Sequence, residues 1–140
     1  NFDISDLLSQ LKIKANKMLK PFPVHLGGPV EPYRGFILHS LDYFQEEETM
    51  DIDNILGMTS TLDIIKDILD NTGPKTFFIA LGYAGWEAGQ LEIEIKNNGW
   101  LVSDSNVDII FQKDTSKKWE DALKTLGIDP IFLSSNGGTA

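Results

Sequence analysis

The order of apolar and polar positions divides the chain into strand-like and helix-like stretches. Thr76-Phe77-Phe78-Ile79-Ala80-Leu81 is a continuous apolar run without alternation, the pattern of a strand covered on both faces. Gly82-Tyr83-Ala84-Gly85-Trp86 interrupts it with a glycine-rich turn. A helix is predicted from about Trp86, with Leu91 and Ile95 one turn apart, and Asn97-Asn98-Gly99 ends it. Trp100-Leu101-Val102 then reads as the next strand, so residues 75–102 form a βαβ-like unit around which the rest is organised.

Upstream, Ile4, Leu7, Leu8 and Leu11 repeat at helical spacing behind Asp3 as N-cap, with Phe2 stapled onto Leu7, and Pro21 and Pro23 break that helix. Val24-His25-Leu26 alternates as a strand, Gly27-Gly28-Pro29 is a turn or a close backbone approach, and Arg34 to His39 is a second strand. These two strands are expected to pair as a hairpin. Leu62, Ile64, Ile65, Ile68 and Leu69 make a wide helical face, with Ser60 as cap, Asp63 at the third position and Gly73-Pro74 as the stop. Val107 to Phe111 reads as a short strand. Trp119, Ala122, Leu123 and Leu126 mark a last helix capped by Asp114 or Thr115 and followed by Gly127, with Trp119 in the core, and residues 134–140 form a fraying tail. The fold class that follows is α+β, or mixed α/β: a single compact domain over residues 1–140, with a mixed sheet and about four helices on its faces.

Charge and composition narrow the functional classes. At 140 residues and 41% hydrophobic, the chain has apolar material for a real core. No stretch approaches the roughly 18 consecutive apolar residues of a membrane span, and an ordinary soluble protein is expected. The chain has no cysteine, which excludes disulfides, thiolate metal sites and a cysteine nucleophile. A formal net charge of −9 repels nucleic-acid phosphates over most of the surface. Lys12, Lys14, Lys17 and Lys20 read as a solvated helix end and linker rather than a patch for an acidic partner. The acidic run from Asp42 to Asp53 lacks the residue order of a calcium loop and reads as a solvated hairpin or edge strand whose charges discourage aggregation.

Candidate chemistry gathers in two places. Arg34, the one arginine of the chain, lies within fifteen residues of both histidines, His25 and His39. Arg34 is a candidate anion anchor and His39 a candidate acid, base or ligand. The alternative is an arginine paired with a nearby carboxylate and histidines satisfied within the sheet. No HExxH or HxH spacing supports a metal site. The glycine turn is the second place. Gly82, Gly85 and Gly89 do not form G-x-G-x-x-G, no P-loop lysine follows, and Glu87 occupies the helix start that a phosphate would use. No G-x-S-x-G marks a nucleophilic serine. Tyr83 and Trp86 remain: large rings at the C-terminal end of a strand, where ligand sites of open sheets collect, or else rings that seal the end of the core. The candidate ligand-binding residues are therefore Arg34, His39, Gly82, Tyr83, Gly85 and Trp86, with no catalytic residue, metal or cofactor assigned.

Gly82-Tyr83-Ala84-Gly85-Trp86 with Gly89-Gln90-Leu91-Glu92 and Trp100 resembles the signature of the bacterial AlgH/YqgE family. Gly27-Gly28-Pro29-Val30, Arg34 to His39, Thr59-Ser60 with Asp63, and Trp119 with Leu126-Gly127-Ile128 are similar to the same family in the same order, covering nearly the whole chain. The resemblance implies a mixed, partly barrel-like sheet flanked by helices. Family members carry strands and a Gly-Leu-Val-Ile-Asn-like segment ahead of the position matching Asn1, so the chain is expected to begin inside the domain, without its N-terminal strands. The family's association with transcriptional regulation rests on its name and genetic association. Two function classes stay open. The first is a cytoplasmic, non-catalytic binding or regulatory protein acting through protein or small-ligand contacts. The second is an enzyme with a site formed by Arg34, His39 and the Tyr83–Trp86 loop. The expected partner is a protein or small ligand, not nucleic acid and not a membrane, and an exposed sheet edge would permit oligomers.

Overall fold

The computed structural model describes residues 24–112 and 114–133, with Phe132 described through its backbone only. The helix expected over Ile4 to Leu11, the lysine segment, the two prolines after it and the tail from Ser134 lie outside the described residues. The chain divides into two compact units, one reaching Ala84 and the other starting at Gly85.

The first unit is a mixed sheet of five strands with one described helix. Its strands are β1 (Val24–Leu26), β2 (Val30–His39), β3 (Thr49–Ile52), β4 (Leu56–Thr59) and β5 (Phe77–Tyr83), in the spatial order β1-β5-β2-β4-β3. β5 is parallel to β1 and antiparallel to β2, and the remaining pairings are antiparallel. β1 and β2 therefore do not form the expected hairpin, because β5 lies between them. Three residues, Gly27-Gly28-Pro29, carry the chain across the end of β5, and the Gly27 N–H donates to the Leu81 carbonyl at 2.8 Å. Backbone rests directly on backbone at this crossing. A Cβ on Gly28 would lie 2.2 Å from the Tyr83 carbonyl carbon, and one on Gly82, which has φ +74°, would lie 2.5 Å from the Gly28 carbonyl oxygen. Gly82 is thus part of the strand and not the start of a turn. β1 and β3 are free edges, so among the described residues the sheet is open rather than partly barrel-like.

Between β4 and β5, helix α1 (Leu62–Asp70) buries Ile64 and Ile65 against Ile37 of β2 and Ile79 of β5, which together form the core. Its N-cap is Thr61 rather than Ser60. The Thr61 hydroxyl is engaged elsewhere, donating to Glu48 at 2.7 Å, and Asp63 pairs with Lys66 instead of reaching back to the cap. The helix ends before Gly73 because Asn71 takes the left-handed conformation, φ 61°, and the Thr72 and Gly73 N–H groups fold back onto the Asp67 carbonyl. Asp53 and Asn54, both at φ 55°, close the β3–β4 hairpin, the paired positive φ values of a type I′ turn. Asp51 and Asp53 thus belong to the edge strand and its turn.

A polar chain runs through this otherwise apolar core. His39 is fully enclosed, with Nδ1 3.0 Å from the Ser40 carbonyl oxygen and Nε2 3.0 Å from Thr59 Oγ1. A carbonyl oxygen only accepts, so Nδ1 carries the ring hydrogen and, in the neutral ring, Nε2 accepts from the Thr59 hydroxyl. Thr59 in turn accepts from Thr49 at 2.8 Å, and Thr49 from the Gln45 N–H at 3.1 Å. Tyr43 packs edge-on to the imidazole and donates to Asp67 at 2.7 Å. Burial, helped by that carboxylate, pushes the Tyr43 phenol well above its ordinary value.

The second unit contains α2 (Gln90–Lys96), α3 (Val107–Ile110), α4 (Lys118–Thr125) and a 3-10 turn at Pro130–Phe132. Two expected strands are absent. Residues 100–106 carry no regular structure, and Val107–Ile110 is helical because the Asn106 side chain accepts from the N–H groups of Asp108 and Ile109. An N-cap has outweighed the β preference of a Val-Ile-Ile stretch. The βαβ-like unit is therefore not formed. α2 starts later than Trp86 because Gly89, at φ 82°, serves as its N-cap. α4 is entered through Lys117, while Asp114 caps the turn before it by accepting from the Ser116 N–H and hydroxyl. Leu123 is the buried residue of α4, and Trp119 is 59% exposed rather than core. The Lys118 ammonium donates to the Ile110 carbonyl at 2.6 Å, and burial lowers its pKa. No described helix is long and apolar enough to cross a membrane.

Candidate functional site

Strand alternation separates two faces of the sheet in the first unit. Ile37 and His39 point toward α1, so Phe36 and Leu38 take the other face, and the same parity puts Ile79 in the core and Phe78 and Ala80 opposite. No described helix of this unit covers that second face. It carries a cavity of about 560 Å³ with an open mouth. The register arranges its floor in rows: His25, Ala80 and Phe36 lie side by side across β1, β5 and β2, and Phe78, Leu38 and Met58 form the next row across β5, β2 and β4. The floor is lowest along β5, where Ala80 and Gly82 contribute a methyl group and a hydrogen. Phe36 and Tyr83 meet edge to face at 5.7 Å, and His25 and Phe78 likewise at 5.5 Å.

One cation sits on the rim. The Arg34 guanidinium lies 5.2 Å from the centre of the Phe36 ring and donates to Glu31 at 3.0 Å, with both side chains about half exposed. An exposed pair three residues apart contributes only about 0–1 kcal/mol, so another carboxylate can replace Glu31.

Of the residues singled out from sequence, the structure brings Arg34, Gly82 and Tyr83 together in this cavity. His39 lies on the opposite face, inside the core. Gly85 and Trp86 open the second unit. There Trp86 and Trp100 pack edge to face at 5.7 Å, and Glu94 accepts from both indole N–H groups, at 3.3 and 2.6 Å, and from the Gln90 amide at 2.9 Å. Phe36, Leu38, Met58, Phe78 and Ala80 were not read as site residues. Their signal was the unalternating run from Thr76: a strand apolar on both sides, in a sheet whose one described helix of this unit packs on one face, carries a second apolar face. Among the described residues no group of three or more His, Cys, Asp or Glu side chains is placed to hold a metal.

Two of the three tryptophans, Trp86 and Trp119, give a direct comparison. Trp119→Ala is expected to cost less than about 0.5 kcal/mol, as at other exposed positions. Trp86→Ala removes a ring pair and a hydrogen bond to Glu94, and should cost about 1–2 kcal/mol. Denaturant midpoints of the two variants check the order, and equal midpoints would contradict it.

A family model described as AlgH-like matches residues 1–131. A UPF0301 protein of Paracoccus denitrificans is 49% identical over 97% of this chain and 73% of its own length. One from Ruegeria pomeroyi is 46% identical over 100% of this chain and 77% of its own. The solution structure of the AlgH protein from Pseudomonas aeruginosa superposes with a TM-score of 0.76 at 33% identity, covering 100% of this chain and 74% of that one.

Proposed function

We propose, from the premise that this chain belongs to the AlgH-like family, that it is a non-catalytic binding protein whose small ligand occupies the face of the sheet opposite α1. The observation that carries the reading is the cavity itself. Its 560 Å³ fall in the range of about 300–1,000 Å³ typical of small-molecule sites. Apolar and aromatic side chains dominate its lining, with a single guanidinium at the rim, the usual composition of a site that buries a ligand body and orients one polar group. The acid-base candidate, His39, has both ring nitrogens engaged within the core. Any influence on transcription would pass through ligand or protein contacts and not through a grip on DNA, since a net charge of −9 opposes the phosphate backbone.

The neutral fluorescent probe N-phenyl-1-naphthylamine tests this. Saturable enhancement at one site per chain is expected, with at least a tenfold loss of affinity in Leu38→Gln, which places an amide on the cavity floor. An absence of saturable binding, or equal binding by Leu38→Gln, would overturn the reading.

A further inference from the structure

The shape and charge of the cavity identify a ligand class. We infer that the site takes a monoanionic amphiphile, a carboxylate carried on a linear acyl chain of about ten carbons; this rests on the cavity being the binding site. Arg34 stands at one end of the floor and Leu38 at the other, four strand residues apart, which at about 3.3 Å per residue gives a channel of roughly 13 Å, the length of about ten extended methylenes. Along β5 the floor is low at Gly82 and Ala80 and rises at Phe78, which lies beside Leu38 and closes that end.

The head group follows from the rim. The guanidinium presents parallel N–H donors that match a carboxylate in two hydrogen bonds, and its present partner, the Glu31 carboxylate, already stands in for such a ligand. That internal carboxylate is exposed and weakly held, so a ligand that also buries an acyl chain displaces it. A single guanidinium at the cavity, in a chain of net charge −9, suits one negative charge and disfavours a polyphosphate or a nucleic acid.

Calorimetric titration of the full chain with decanoate and with decanol separates charge from cavity. Decanoate should bind about tenfold more tightly than decanol, and Arg34→Gln should erase that preference. Along a series from hexanoate to tetradecanoate, affinity should rise by about fourfold per methylene, the value for burying one CH₂, and level off near ten carbons. Equal binding of decanoate and decanol, both lost in Leu38→Gln, would keep the cavity and overturn the carboxylate. A preference that survives in Arg34→Gln overturns it too. Failure of both compounds to bind would remove the binding site itself. Because Arg34 is half exposed, the thermal midpoint of Arg34→Gln should stay within a few degrees of the parent, which keeps a lost preference from being a folding effect.

Discussion

Gly82→Ala is expected to cost more than about 4 kcal/mol, at the exceptional end of single substitutions. Two effects add. The residue sits at φ +74°, where a Cβ costs roughly 1–2 kcal/mol for any L residue. That Cβ would also lie 2.5 Å from the Gly28 carbonyl oxygen and 3.0 Å from that of Val30, both main-chain atoms that cannot swing aside as a side-chain tip would. Gly89→Ala separates the two contributions, because Gly89 has φ +82° with nothing within 4 Å of the added carbon. It should cost only the backbone share, about 1–2 kcal/mol. Gly35→Ala, in the same β2–β5 pairing, meets only an ordinary contact at 3.9 Å and should be nearly neutral. Denaturant unfolding of the three variants checks the ranking. Similar midpoints for Gly82→Ala and Gly89→Ala would mean that the chain crossing is not tight.

Thr59→Val should cost about 2–5 kcal/mol although it barely changes volume. The valine would strand two buried groups at once, the acceptor Nε2 of His39 and the hydroxyl hydrogen of Thr49, and each unsatisfied group costs about 1–3 kcal/mol. Thr59→Ser keeps the hydroxyl and loses one methyl group, so a cost near 1 kcal/mol is expected. The diagnostic is therefore the order of the two variants, with serine the more stable despite its smaller side chain. Valine equal to or better than serine in a thermal melt would show that the polar chain adds nothing to stability.

The legible parts of this fold are those whose pattern is local. Helix α1 and β5 were readable because Leu62 to Leu69 and Thr76 to Leu81 each carry a periodicity that a single element satisfies. Pairing was not, because nothing in Val24-His25-Leu26 states that a strand from fifty residues downstream will separate it from β2. Short elements failed for another reason. Val107 to Phe111 is apolar enough for either state, and the choice fell to one side chain, Asn106, whose cap was worth more than the β preference. Trp119 follows helical spacing, yet Leu123 holds the buried position in that helix and the indole lies out. In the candidate site, Arg34 and Tyr83 were visible as unusual residues. The cavity floor was hidden inside what looked like ordinary core, since a face apolar for packing and a face apolar for a ligand read alike.

The placement of β5 between β1 and β2 sets the order in which the sheet can assemble. β3 and β4 form a hairpin whose second strand pairs with β2 just upstream, so these three strands join across short separations and close early, when few residues are needed to bring them together. β5 must then arrive along the free side of β2, and only after it has docked can β1 pair with it. Among the described strands, β1 therefore emerges first during synthesis and is secured last. The Gly27-Gly28-Pro29 crossing has to remain open, with β1 held away from β2, until residues 77–83 have been made and have entered the gap.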